Sequence, residues 1–383
     1  MNTIRSGTLR RKRRTLTWLG ASSVLALSIT LASCAGTPTT TATEEPAASS
    51  STSTSTTGSS SEVVALAEAF AATLSDDQKA SLYQDYSLEN AENWSNFPNA
   101  LLAGGGPGAQ SSGGGRVGLQ TDSLTDEQWT ALEALLSAVT GSAENEGFDE
   151  IMQHLAADDY LADNGGGSDY GTGNFFIAFL GTPSDSGTWE LQFGGHHLAL
   201  ANTYVDGALA GATPSFRGIE PFETVEQDGT TVQAEQQEQE AFAALLASLT
   251  TEQLATAELS ESFNDILLGP GNDWAFPTTS EGIKGSDLTD EQKALVLAAI
   301  ATYVGDVDDA DAAAILAEYE SELDETYISF SGSTSMAEEG DYIRIDGPSV
   351  WIESSMQHGI VLSGAHPHSV WRDKQNDYGG TTS

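Results

Sequence analysis

The sequence predicts an α+β protein in which helical segments precede antiparallel β-rich segments, the whole arranged as an internal duplication. Three observations lead there. A helix-start signature occurs four times, strand-like alternation follows the helices in each half, and a set of glycine and aromatic anchors recurs in the same order.

The chain opens on a positive segment, Arg5, Arg10, Arg11, Lys12, Arg13 and Arg14, followed by an apolar run from Trp18 to Leu31. That run is short for a membrane span, and its end, Leu31-Ala32-Ser33-Cys34, resembles a bacterial lipobox. Residues 1–33 are therefore expected to be a signal peptide, with Cys34 the lipidated first residue of the mature chain; it is the single cysteine. An ordinary secretory peptide or an uncleaved anchor is the alternative. Arg13-Arg14-Thr15-Leu16 loosely resembles a twin-arginine signal, which would imply export in the folded state. Residues 34–61 are mostly Thr, Ser, Ala, Gly, Pro and Glu, too polar to offset the entropy of ordering, and read as a flexible tether. The expected location is the cell surface or the extracytoplasmic side of the membrane, touched only through the lipid.

Six of the 14 basic residues precede Cys34, whereas all 56 acidic ones follow it, so cleavage takes the formal charge from −42 to −48. Such a surface repels nucleic acid and anionic lipid, which excludes DNA or RNA as partners. It attracts cations generally, so a surface carboxylate is poor evidence for a specific metal site. With one cysteine the chain forms no intrachain disulfide, and stability must come from a core.

Folded sequence is expected from about Glu62, where Val64, Leu66, Ala67, Phe70, Ala71 and Leu74 form a helical stripe. Ser75-Asp76-Asp77-Gln78, Thr125-Asp126-Glu127-Gln128, Thr250-Thr251-Glu252-Gln253 and Thr289-Asp290-Glu291-Gln292 are capping boxes, each preceded by a leucine placed for a hydrophobic staple. Four helix starts follow. Trp94-Ser95-Asn96-Phe97-Pro98 pairs with Trp274-Ala275-Phe276-Pro277, and Ile177–Gly181 with Ile328–Gly332. A constant offset then aligns Gly187, Trp189 and Gly194 with Gly340, Tyr342 and Gly347. The halves are read as 62–230 and 240–383, packed as one globular unit, with a joining helix over Gln233–Leu249. Predicted strands are Asn174–Leu180, Trp189–Phe193 and Leu198–Tyr204, then Tyr327–Ser331, Asp341–Asp346 and Ser349–Ser354, with short additions at Val361–Leu362 and Ser369–Trp371. Helices would cover two antiparallel sheets or one shared sheet. Gly104–Gly106 and Gly113–Gly115 mark a loop that could border a cleft.

Six histidines carry most of the chemical signal. His196 and His197 follow a double glycine, and in an extended strand they would point to opposite faces. In His366-Pro367-His368 the two imidazoles share a face, and the proline stiffens the link. If the halves are related by a pseudo-twofold axis, these groups meet in one composite site. Two or three histidines suit zinc or copper. His196, His197, His366 and His368 are the candidate ligands, with His358 a weaker one and His154, in a predicted helix from Asp149 to Leu161, a structural residue. Glu353, a charge inside an apolar strand, is a candidate ligand or general base unless it faces solvent. Arg372 is a candidate for binding an anionic substrate group, with a salt bridge as the plain alternative; Arg217 and Arg344 stand out for the same reason. Asp206, Asp373 and Asp377 are candidate acceptors for imidazole nitrogen, and Trp189, Trp351 and Trp371 line either a pocket or the core. Nucleophile-elbow, phosphate-loop, dinucleotide and His-Glu-x-x-His motifs are absent.

Gly181-Thr182-Pro183 with Trp189, Phe193-Gly194-Gly195-His196-His197, Arg344-Ile345-Asp346-Gly347-Pro348, Val350-Trp351-Ile352-Glu353 and the end His366-Pro367-His368-Ser369-Val370-Trp371-Arg372-Asp373 with Asn376-Asp377-Tyr378-Gly379 resemble the bacterial family known as domain of unknown function 3500 (DUF3500). The resemblance covers most of the chain from about residue 64 and implies no particular reaction. The expected function is therefore a membrane-tethered lipoprotein that binds a transition metal through histidines, acting as a metal-dependent hydrolase or oxidase. A non-enzymatic solute- or metal-binding lipoprotein is the alternative, and a metal-free acid–base enzyme using the same histidines is a third. The small molecule or metal it would take is left open by the sequence.

Overall fold

In a computed structural model, the chain is described over residues 58–103 and 115–380. The signal segment, Cys34, the tether and the glycine-rich stretch 104–114 lie outside the described residues. The first half contains α1 (Gly58–Ala72), α2 (Asp76–Leu82), β1 (Tyr83–Gln84), α3 (Leu88–Ala91), α4 (Asn99–Ala103) and β2 (Leu119–Gln120). It continues through α5 (Asp126–Val139), α6 (Gly147–Leu161), β3 (Phe176–Leu180), β4 (Thr188–Gly195), β5 (Leu198–Val205), β6 (Ala208–Gly211) and β7 (Ser215–Gly218). A hairpin, β8 (Val225–Gln227) and β9 (Thr230–Val232), leads to α7 (Gln236–Ser248), α8 (Thr251–Ala257) and β10 (Ile283–Lys284). Then come α9 (Asp290–Val304), α10 (Asp309–Ser321), β11 (Tyr327–Ser331), β12 (Tyr342–Asp346), β13 (Val350–His358) and β14 (Ala365–Asp373).

All four capping boxes form in full, at Ser75, Thr125, Thr250 and Thr289. The glutamine of each box does a second job. Gln78 and Gln128 exchange side-chain hydrogen bonds of 3.2 and 3.0 Å, and Gln253 and Gln292 do the same at 3.0 and 2.9 Å. The local signal that starts each helix thus also ties α2 to α5 and α8 to α9.

One shared sheet, not two, carries both halves. Its strands run in the order β1-β3-β4-β5-β7-β14-β13-β12-β11-β10, with β2 on β3 and β6 on β5. All its pairings are antiparallel except β1 with β3. The halves meet at β7 and β14, where Arg217 lies opposite Ser369. Strand alternation gives the sheet two apolar faces. Phe179, Leu191, Phe193 and Leu200 pack under α1 and α5, and Ile343, Ile345, Ile352 and Trp371 under α7 and α9. Ala178, Leu180, Phe216, Trp351 and Val370 face the other way, against Trp94, Ile266, Leu268 and Tyr378 of the connecting segments. Trp189, Trp351 and Trp371 are therefore core residues, each no more than 1% exposed, although Trp371 also borders a cavity beside Asp311 and Glu318.

The last two strands extend further than the alternation suggests: β13 reaches His358 and β14 begins at Ala365. The expected short strand at Val361–Leu362 is instead part of the turn between them, where Glu220 accepts both backbone N–H groups. Polar residues such as Ser355, Gln357, His366 and His368 hide this length from a hydropathy reading, because strands pair through their backbone whatever the side chain. Among the described residues no helix is long and apolar enough to cross a membrane.

Candidate metal centre

Close packing shapes the turn that carries the first two histidines. A side chain at Gly195 would come within 2.7 Å of the Phe175 ring, and one at Gly194 within 2.4 Å of the Leu198 carbonyl, so both positions need glycine. After them the chain reverses between β4 and β5, with His197 in the left-handed region at φ 60°. The expectation of opposite faces holds only for extended backbone. Here the reversal stacks the two imidazoles, with ring centroids 3.7 Å apart. The Trp94–Pro98 segment braces this turn: Asn96 accepts the His197 N–H at 3.1 Å, and Arg116 donates to Ser95, Phe97 and Gly195 carbonyls.

His366 and His368 project from one face of β14, as the i, i+2 spacing requires. That face meets the β4–β5 turn. The Nε2 atoms of His197 and His368 lie 3.2 Å apart, and those of His366 and His368 lie 3.3 Å apart. His197, His366 and His368 each offer a nitrogen within 4.8 Å of the others. Gly218 on β7 leaves the room for this, since a side chain there would press on the His368 and His197 rings at 3.2 and 3.3 Å.

All three rings are buried, at 5%, 2% and 7% exposure. Burial, and then the neighbouring imidazoles, hold His197 well below the usual histidine range. Burial and then His368 push His366 down to about 2. Both are neutral, the form in which imidazole binds a metal. On His368, Nδ1 faces the Asp265 carboxylate at 3.1 Å. A carboxylate only accepts, so Nδ1 carries a proton and Nε2 is the nitrogen turned toward the cluster. A tetrahedral ion with metal–nitrogen bonds of about 2.0–2.1 Å needs nitrogens roughly 3.3 Å apart, which the two measured separations match.

Of the four candidate ligands, the structure brings three together. The fourth, His196, is set aside from the group: its Nδ1 is 2.7 Å from Asp158, and its ring packs against His197 and the edge of Tyr170. His358 is exposed and pairs with Glu339. Glu353 does not face solvent and does not face the histidines. Its two oxygens accept from Leu267 N, Leu268 N, the Tyr342 hydroxyl and the Trp351 indole at 2.7–3.1 Å. Burial raises its pKa and those four donors oppose the rise. Arg372 takes the salt-bridge alternative, donating to Asp377, Asp273 and the Leu268 carbonyl. Arg344 reaches Glu281, and Arg217 reaches Glu150 and Asp306.

The aspartates that hold imidazoles are not those the sequence singles out. Asp206 accepts from Gly187, Asp373 from Tyr319, and Asp377 from Arg372. Asp158 and Asp265 do the work instead. Asp158 had a faint signal, standing four residues after His154 on the same helix face; Asp265, in a connecting segment, had none. His154 is also more than a packed helix residue, for it stands with Glu150 and Glu235 in a second group whose ligand atoms lie within 4.8 Å. Its Nδ1 faces the Glu150 carbonyl, and burial followed by the Arg217 charge takes its pKa down to about 4.

Fold and site together define an α+β protein built on one broad sheet, with a buried imidazole cluster where its halves join. The chain belongs to the family described as protein of unknown function (DUF3500), whose model matches residues 56–380. No curated protein and no solved structure matches it.

Proposed function

We propose that the protein is a membrane-tethered extracytoplasmic metalloprotein that holds zinc or copper on His197, His366 and His368. The observation that carries this reading is the pair of Nε2 separations, 3.2 and 3.3 Å, among three buried imidazoles. Three imidazole nitrogens suit either ion, and a tetrahedral ion on three ligands keeps one position for water or substrate. When loaded, such a centre would supply an activated water for hydrolysis or, with copper and an external oxidant, a redox couple for oxidation. Neither Glu353 nor Arg372 enters this proposal, because their partners already engage them. The parallel order of capped helices and strands in the two halves supports the reading of an internal duplication. Secretion and lipid attachment at Cys34 rest on the sequence of the leader.

Metal content of protein purified without a histidine tag tests the centre. About one equivalent of zinc or copper is expected in the parent and none at this site in folded His366→Ala/His368→Ala. A parent that stays empty after reconstitution with either ion rejects the proposal. The anchor is tested by Cys34→Ser, which should move the protein from the membrane fraction to the soluble one; unchanged fractionation would rule the lipid out.

A further inference from the structure

The opposite face of the sheet holds a second set of buried groups. On β14, His368 points toward the imidazole centre, while the next residue, Ser369, donates to Glu235 at 3.0 Å on the helix-covered side. Glu150, Glu235, Glu238 and Asp306 are all buried there, between 1% and 4% exposed. Glu146 adds a fifth carboxyl at the start of α6, with one oxygen buried. The cation among them is Arg217, which donates to Glu150 at 3.1 Å and to Asp306 at 2.6 Å. One guanidinium cannot compensate so many buried carboxyl groups, so the rest must hold protons or a further cation.

The shortage extends to hydrogen bonds. Glu150 Oε1, His154 Nε2, Glu235 Oε1 and Glu238 Oε2 are buried without a partner. Native proteins leave few such atoms, so several in one place call for a ligand. His154 can take the tautomer for one: its Nδ1 faces the Glu150 backbone carbonyl at 3.0 Å, and a proton held there leaves the unpartnered Nε2 as a lone pair. Glu150 and His154 sit one turn apart on α6 and face the same way. Glu235, at the start of α7, closes the group from the other side.

We propose that Glu150, His154 and Glu235 form a second metal site, for a divalent transition ion of the manganese, iron or zinc kind. Their ligand atoms lie within 4.8 Å of one another, close to the roughly 4.4 Å spanned by opposite ligands of one ion. Each of the three side chains has one unpartnered atom to give. A dication with Arg217 offsets most of the buried negative charge. Two carboxylates and one imidazole make a harder donor set than three imidazoles, so this site leans further toward ions such as manganese and iron. The proposal rests on its own residues, none of which belongs to the imidazole centre.

Manganese is the probe. The mature protein is expressed in manganese-supplemented medium, or refolded with Mn²⁺, then passed through chelator and gel filtration. About one retained Mn²⁺ per chain is expected in the parent and equally in His366→Ala/His368→Ala. Glu150→Gln/Glu235→Gln should lose it while melting at the same or a higher temperature, since neutral amides relieve the crowding of acids. Pulsed electron paramagnetic resonance should show one nitrogen coupling on the bound ion, absent in His154→Gln; this arm stands even if the glutamate variant fails to fold. Manganese retained equally by the glutamine variant is surface binding to an acidic protein and overturns the proposal. A parent free of manganese, iron and zinc at this site, or a bound ion without nitrogen coupling, overturns it as well.

Discussion

Two regions bury ionisable side chains against the same sheet, and they settle their charges differently. Around Arg372 everything is matched. The guanidinium lies between Asp377 and Asp273 with the Leu268 carbonyl on a third donor, and nearby Glu353 receives four hydrogen bonds. Around Arg217 the acids outnumber the cation, and several polar atoms lack any partner. A matched region is a structural device: its groups are spent on each other, and none is left for a ligand. The unmatched one has donor atoms to spare. Burial by itself therefore does not distinguish a functional glutamate from a structural one; the count of its donors does.

Substituting glutamates with different donor counts sharpens this contrast. Glu353→Gln should have the largest effect, a loss of about 2–4 kcal/mol in unfolding free energy. The amide NH₂ would face two N–H or O–H donors that the carboxylate oxygen accepts, and each buried donor left unpaired costs about 1–3 kcal/mol. Chemical denaturation measures it, and an unchanged midpoint would mean the four bonds contribute little.

Glu190 is the intermediate case, with only Gln192 and Thr203 donating to it, at 2.7 and 2.9 Å. Its burial pushes its pKa up to about 7. The folded state therefore binds a proton more tightly than the unfolded one. The stability linked to this group is fully present below the unfolded pKa of 4.5 and is lost as pH rises through about 7. Glu190→Gln should accordingly stabilise the protein by about 1–3 kcal/mol at pH 8 and change little at pH 4.5. Denaturation midpoints at the two pH values decide it; a gain of equal size at both would show that packing, not ionisation, is responsible.

Much of the scaffold was legible because its signals are local. A Leu followed directly by a Ser or Thr that stands three residues before a Gln occurs at four places, and each of the four starts a helix. Strand identity followed from alternation, although β13 and β14 ran longer than their apolar residues indicated. The candidate site was legible in part. His366 and His368 share a face by period alone, and their meeting with a histidine of the other pair was expected only on the condition of a pseudo-twofold axis between the halves. That His197 rather than His196 joins them depends on one left-handed residue after a glycine pair, a detail no period carries.

By itself, then, the sequence determined four helix starts, most of the longer strands, the acidity and the shared face of His366 and His368. These depend on neighbours within a few residues, or on composition. The tertiary structure alone decided that one sheet joins the halves and that Asp158 and Asp265 orient the imidazoles. It also decided that Glu353 and Arg372 are spent on structural partners, while Glu150, His154 and Glu235 are left with atoms to spare. The reason is physical: whether a buried charge is satisfied depends on donors brought from distant parts of the chain, and no local pattern encodes their arrival.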